Sequence, residues 1–407
     1  MPELPQPMLD PSLIYDKRAE LNAAGKCGFH ALLIGVSDYA NLSEPNDLPG
    51  PGLHALQKLD FPARSAFRIA TKLKQLDAQQ RLWRPLKTIR LLTAASPLEL
   101  TNDPELAAAG GAPANWKAIH DALYAWRDDV AKGEDELSLF YFCGHGIRRS
   151  LEESILLASD FLEKPGPQLA KSFRLSNVRN GMAPSDEYPN IGRYQFYFVD
   201  ACRDKPDGLD QLDDTQTPKI FDAALNHFDN RKAPTFFATP PGGLAAGKAG
   251  EETYFIKALE WALENASFNR ENVDGKDTPI WPTTAQSLKA GLEFADPNLA
   301  GRVELTGLIS DPILCFRLDP PSLELKVSIA PPALRPSIKH ARLIELETGA
   351  ETDLSGYEVD DPCRVSVVAG FYRIEVEPAD GAFQPVKTSI VPLNIRTKMP
   401  WPLRIGG

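Results

Sequence analysis

The chain is poor in the residues that build disulfide frames and metal clusters: its 407 residues include five cysteines and six histidines. An odd, sparse cysteine count argues against a disulfide scaffold and for reduced thiols, so a cytoplasmic location is expected. No apolar run approaches the ~20 residues that a bilayer requires, so no membrane span or membrane partner is expected. The opening stretch MPELPQPMLDPSL lacks a basic region and an apolar core, and does not read as a secretory signal. Positive charge is in deficit, with a formal net charge of −11, which speaks against nucleic acid as a partner. Internal repeats and long polar tracts are missing too. With 43% hydrophobic residues, the composition is globular and the length suits about two domains.

What is present is a succession of short apolar runs alternating with helical periodicity. HALLIGVS (30–37), TIRLLT (88–93), ELSLFYFC (136–143), SILLAS (154–159), YQFYFVD (194–200) and TFFATP (235–240) read as strands. Between and after them, Ala66, Ile69, Ala70 and Leu73 fall at helical spacing, as do Ile119, Leu123 and Trp126. TYFIKALEWALENA (253–266) and TAQSLKAGL (284–292) continue the helical pattern. This alternation predicts an α/β domain over 29–318, a mostly parallel sheet with helices on both faces. Residues 1–28 read as an extended, proline-dotted arm. Past FRLDPPS the runs shorten and alternate, predicting a small antiparallel β-sandwich over 322–407.

Two of the strands end unusually. FYFCGHG places His145 between two glycines, and FYFVDACRDKP closes on Asp200-Ala201-Cys202-Arg203. Sites in parallel sheets form at the carboxyl ends of strands, where these two tips can lie side by side. A Cys beside a His is the unit of thiol catalysis, because the imidazole takes the thiol proton and later protonates a departing amine. The N–H groups of Gly146 and Cys202 would form an oxyanion hole, commonly worth about 3–4 kcal/mol per donor. A zinc site from Cys143, His145 and Cys202 lacks a fourth ligand at recognisable spacing, so no metal is assigned there. Cys27, Cys143, Cys315 and Cys363 read as small buried hydrophobes.

FYFCGHG and VDACR resemble the catalytic His and Cys segments of caspase-like cysteine peptidases, nearer to metacaspases and bacterial relatives than to animal caspases. ALLIGVSDYANL is similar to the first strand of that family, and FFATPPGGLA to the strand and loop flanking its substrate groove. The resemblance implies a cysteine endopeptidase acting on protein substrates, with His145 as general base and acid and Cys202 as nucleophile. Asp200 stands two residues before the nucleophile, where metacaspases carry Asp in a pocket for Arg or Lys. Cleavage after Arg or Lys is therefore expected, since a buried carboxylate needs a cation. Ser65 occupies the place of a second acidic residue that metacaspases usually have. Asp38 or Asp60 is the expected substitute in that S1 pocket.

The resemblance also implies a regulated zymogen, cut within 203–233 at Lys219, Arg231 or Lys232, or within a second long loop at 162–193. It implies an activating protease or partner protein, in a bacterial response pathway such as antiviral defence. Asp210, Asp213 and Asp214 are a candidate calcium cluster, although their spacing matches no EF-hand. No other cofactor is expected. Two rival readings stand beside the peptidase: an inert caspase-like scaffold whose C-terminal β domain binds a partner protein, and an acyltransferase using the same dyad.

Overall fold

The computed structural model describes residues 10–48, 50–148, 153–203, 205–206, 209, 216–222, 227–240, 242, 251–307, 310–354, 363–379, 381–387, 391–396 and 401–404. At its centre lies a sheet with the spatial order β1 (Leu13–Asp16), β3 (Leu86–Ala94), β2 (Phe29–Val36), β5 (Leu137–Gly144), β9 (Tyr194–Ala201), β10 (Thr235–Phe237) and β12 (Glu304–Thr306). A short β4 (Ala112–Pro113) pairs with β3. The middle strands are parallel, and β1 and β12 close the two edges antiparallel.

β2 and β5 are buried along their whole length, which explains why they read as continuous apolar runs rather than alternating ones. Their alternating side chains serve two cores. Leu139, Tyr141 and Cys143 pack beneath α2 (Pro62–Ala78), α7 (Tyr254–Asn265) and α8 (Ala285–Ala295). Phe140 and Phe142 face α5 (Trp116–Val130) and α6 (Leu175–Gly181). Helices thus cover both faces, as the alternating pattern predicts. At the amino-terminal end of the sheet, buried Glu136 accepts from Lys87 at 2.7 Å, His30 at 3.3 Å and the Gly28 N–H. This ties the strand starts together and makes His30 a core residue.

The structure departs from the sequence reading in several places. The 1–28 arm is not simply extended: it supplies the edge strand β1 and the helix α1 (Arg18–Ala23). Buried Arg90 fastens it, donating to Asp10 at 3.1 Å and Asp129 at 2.6 Å. SILLAS does not join the main sheet. It forms β7 (Ser154–Leu157), between β6 (Gly146–Arg148) and β8 (Ser172–Arg174) in a separate antiparallel sheet. The 162–193 segment is accordingly not an open loop, since it contains β8 and α6. Two short helices, α3 (Pro97–Asn102) and α4 (Pro104–Ala108), arise where none is expected; Ser96 and Glu99 form a capping box and Asp103 caps the second.

A hairpin-like pair, β11 (Trp281–Thr284) with β13 (Ile313–Arg317), ends the α/β part. Beyond it lie two sheets. One joins β14 (Ser322–Ala330), β17 (Cys363–Val368) and β21 (Trp401–Arg404). The other joins β15 (Ile338–Glu345), β16 (Glu351–Asp353), β18 (Gly370–Pro378), β19 (Val386–Lys387) and β20 (Val391–Leu393). These are the additional C-terminal sheets expected, with one difference: β21 adds parallel to β14.

Candidate active site

The register of β5 and β9 decides how the two strand ends meet. Cys143 is paired with Asp200 and Gly144 with Ala201, so His145 and Cys202 leave neighbouring strands at the same level. The approach is close. A Cβ on Gly146 would lie 2.7 Å from the Cys202 carbonyl oxygen and 3.0 Å from the Ala201 Cβ, so only glycine fits. Gly144 adopts a φ of +154°, and a Cβ there would come within 2.8 Å of the Tyr39 hydroxyl. The two glycines around His145 therefore have separate steric reasons.

His145 is buried, with 8% of its surface exposed. Its Nε2 lies 2.6 Å from the Gln57 carbonyl oxygen. A carbonyl only accepts, so Nε2 carries the hydrogen and Nδ1 is left as the basic nitrogen. Tyr39 holds the other side: its hydroxyl accepts the His145 backbone N–H at 2.7 Å, and its ring lies 4.9 Å from the imidazole at 46°. Burial pushes the imidazole down to about 4, against a smaller upward pull from the Gln57 carbonyl. His145 is thus a neutral base at neutral pH. Cys202 is only partly buried, as a nucleophile must be.

Asp200 points to the opposite side of the sheet from Ala201, beneath α7. Its Oδ2 accepts from the Thr253 hydroxyl, from the Tyr141 hydroxyl at 3.3 Å and from the Cys143 thiol at 3.7 Å. Oδ1 is buried and has no hydrogen-bond partner among the described residues. Burial raises this carboxyl to about 6, opposed by those three donors. The same low-polarity surroundings push the Cys143 thiol well above its ordinary range, so Cys143 is no nucleophile.

The remaining candidates scatter. Ser65 is fully buried and its hydroxyl donates back to the Phe61 carbonyl at 2.8 Å within the first turn of α2. Asp38 is half exposed and paired with Lys58 at 3.1 Å. A second carboxylate does reach the start of α2, but it comes from Glu99 on α3, and it is occupied by the Arg64 and Ser96 backbone N–H groups. Lys219 is exposed, beside a segment that Asn177 anchors through Ile220 and Phe221. Arg231 is buried, donating to Asp229, Gln195 and the Arg179 carbonyl. Lys232 continues into the sheet: its N–H donates to Arg193 and its carbonyl accepts from Gln195. In this state neither Arg231 nor Lys232 presents an exposed peptide for cutting. Asp210, Asp213 and Asp214 lie outside the described residues. Among the described residues there is no group of three or more His, Cys, Asp or Glu able to hold a metal, and no helix long and apolar enough to cross a membrane.

Sequence reasoning missed Gln57, Tyr39 and Thr253. The Gln57 contribution is a backbone carbonyl, which no side chain announces. Tyr39 stands in plain view in SDYAN, and Thr253 carries an N-cap signal for α7, yet their contacts are made across the fold.

A mixed, mainly parallel sheet covered by helices, with a His and a Cys at adjoining strand ends, defines a caspase-like cysteine peptidase fold. Residues 29–274 match the caspase domain family, and the chain belongs to that family. Among solved structures it is similar to caspase-1 from Spodoptera frugiperda, at 14% identity and a TM-score of 0.40, over 70% of this chain and 89% of that one. No curated protein matches.

Proposed function

We propose that the protein is a cysteine endopeptidase that cuts protein substrates after basic residues through Cys202 and His145. The observation that carries this reading is the Nε2 hydrogen bond to the Gln57 carbonyl, which leaves Nδ1 as the basic nitrogen of a histidine whose strand end adjoins that of Cys202. In the reaction, the Cys202 thiol gives its proton to His145 Nδ1 and the sulfur attacks the scissile carbonyl carbon. The N–H groups of Gly146 and Cys202 steady the resulting oxyanion. Collapse breaks the C–N bond, and the imidazolium passes its proton to the departing amine. Water, deprotonated by the same imidazole, then releases the acyl group and restores the thiol.

Asp200 supports the basic preference. Its Oδ1 is a buried acceptor with no hydrogen-bond partner among the described residues, and an arriving ammonium or guanidinium would satisfy it. The cavity beside it is bounded in part by Ala238, Thr239, Tyr254 and Leu299 and measures about 10 Å³, too small for a lysyl or arginyl side chain. Its walls must separate before substrate enters, which supports a latent state that awaits activation. Lys219 is the one of the three processing candidates that is exposed.

Incubation with a peptide pool bearing each amino acid at the P1 position tests the reading. Cleavage confined to basic P1 residues, and abolished in Cys202→Ala, is expected. Equal cleavage by Cys202→Ala would overturn it. So would binding of peptides without turnover under any condition, including after cleavage at Lys219; that result would favour the scaffold.

A further inference from the structure

We propose that the Asp200 pocket selects lysine over arginine at P1, and that Thr253 is the residue that sets this preference. The inference rests on the basic-P1 reading above and concerns how the carboxylate is presented. A guanidinium gains over an ammonium when it meets both carboxylate oxygens in a fork, two parallel N–H···O bonds at once. An ammonium is a compact point charge that one oxygen serves.

Asp200 has only one oxygen to offer. Oδ2 is engaged from three sides by Thr253, Tyr141 and Cys143, whereas Oδ1 has no partner among the described residues. Thr253 fixes this orientation firmly because its hydroxyl has two duties. It donates to Oδ2 and accepts the Ile256 N–H at 3.1 Å, capping α7. Turning the carboxylate to expose both oxygens would leave that hydroxyl without its acceptor at a fully buried position. Space argues the same way, since Arg302 already lines the cavity and leaves less room for a second planar guanidinium.

The test compares kcat/KM for paired peptides differing only in Lys or Arg at P1, in wild type, Thr253→Val, Thr253→Ser, Tyr141→Phe and Asp200→Asn. The lost fork cancels arginine's gain, and a rigid guanidinium N–H left unmet in the buried pocket then predicts a Lys preference of about tenfold in wild type. Thr253→Val should bring the ratio towards unity by improving the Arg substrate, whereas Thr253→Ser, which keeps both hydrogen bonds, should preserve it. If Thr253→Val does not fold, the wild-type ratio and a partial fall in Tyr141→Phe decide the matter. Arg cut as well as or better than Lys by wild type would overturn the inference while leaving the basic-P1 reading intact. Cleavage after non-basic residues, or an unchanged basic preference in Asp200→Asn, would instead overturn the assignment of Asp200 and this inference with it.

Discussion

Replacing Asp200 by Asn should stabilise the protein at neutral pH relative to its effect in acid, and the size follows from the Asp200 titration, because the opposing titration of buried His145 is common to both proteins. Asp200 is raised by burial from 3.8 to about 6. Its protonated form is the one the fold favours, so stability falls as pH rises from about 4 to about 6 and stays reduced above. At about 1.4 kcal/mol per tenfold change in proton affinity, this amounts to ~3 kcal/mol. His145 is depressed by burial from 6.5 to about 4. Its neutral form is favoured, so its contribution is present above 6.5 and is lost as pH falls towards 4, again by ~3 kcal/mol. In wild type the two slopes largely cancel between about pH 4 and 6. Urea unfolding across that window, for wild type and Asp200→Asn, reads the difference. The Asn amide changes the Tyr141 and Thr253 hydrogen bonds by an offset that does not depend on pH, so the change with pH is the quantity of interest. The variant should be ~3 kcal/mol better relative to wild type at pH 7 than at pH 4. An equal offset at both pH values would mean that Asp200 ionises at its ordinary value and is not desolvated, which would remove the basis for its role in the pocket.

Other outcomes follow from the same geometry. Gly146→Ala would force a methyl against the Cys202 carbonyl at 2.7 Å; a loss of about 100-fold or more in kcat is expected from displaced oxyanion donors, together with a lower melting temperature from the buried clash. Tyr39→Phe leaves the buried His145 N–H without its acceptor, at ~1–3 kcal/mol by chemical denaturation. For a lysyl substrate, kcat/KM should rise with pH through about 6 as Asp200 ionises, and Asp200→Asn should erase that limb. Intact-mass analysis after incubation should find processing at Lys219 rather than at Arg231 or Lys232, whose backbone is held in or beside the sheet.

The elements that surround the chemistry were legible because their signals are local. FYFCGHG and FYFVDAC are apolar runs that stop on small and reactive residues, and a parallel sheet brings such tips together. The rest depends on partners distant in sequence. Nothing in GPGLHALQK distinguishes Gln57, because it acts through its carbonyl. Ser65 looked like a pocket residue by position, but a hydroxyl in the first turn of a helix has a carbonyl four residues back within reach. SILLAS reads as a sheet strand because its centre, Ile155–Ala158, is apolar; a short buried run does not say which sheet it joins. The capping box at Ser96 and Glu99 could have been read and would have predicted α3. The arm's edge strand could not, since it depends on Arg90 reaching Asp10.

The most direct measurement of the central claim is labelling by a P1-lysyl acyloxymethyl ketone, which alkylates a nucleophilic thiolate, followed by intact mass and peptide mapping. Once cut at Lys219, wild type should take up one equivalent at Cys202, Cys202→Ala none, and His145→Ala should react at least about 100-fold more slowly, because no base removes the thiol proton. Labelling at Cys143 or Cys315, or an unchanged rate in His145→Ala, would contradict the pairing of imidazole and thiol on which the reading stands.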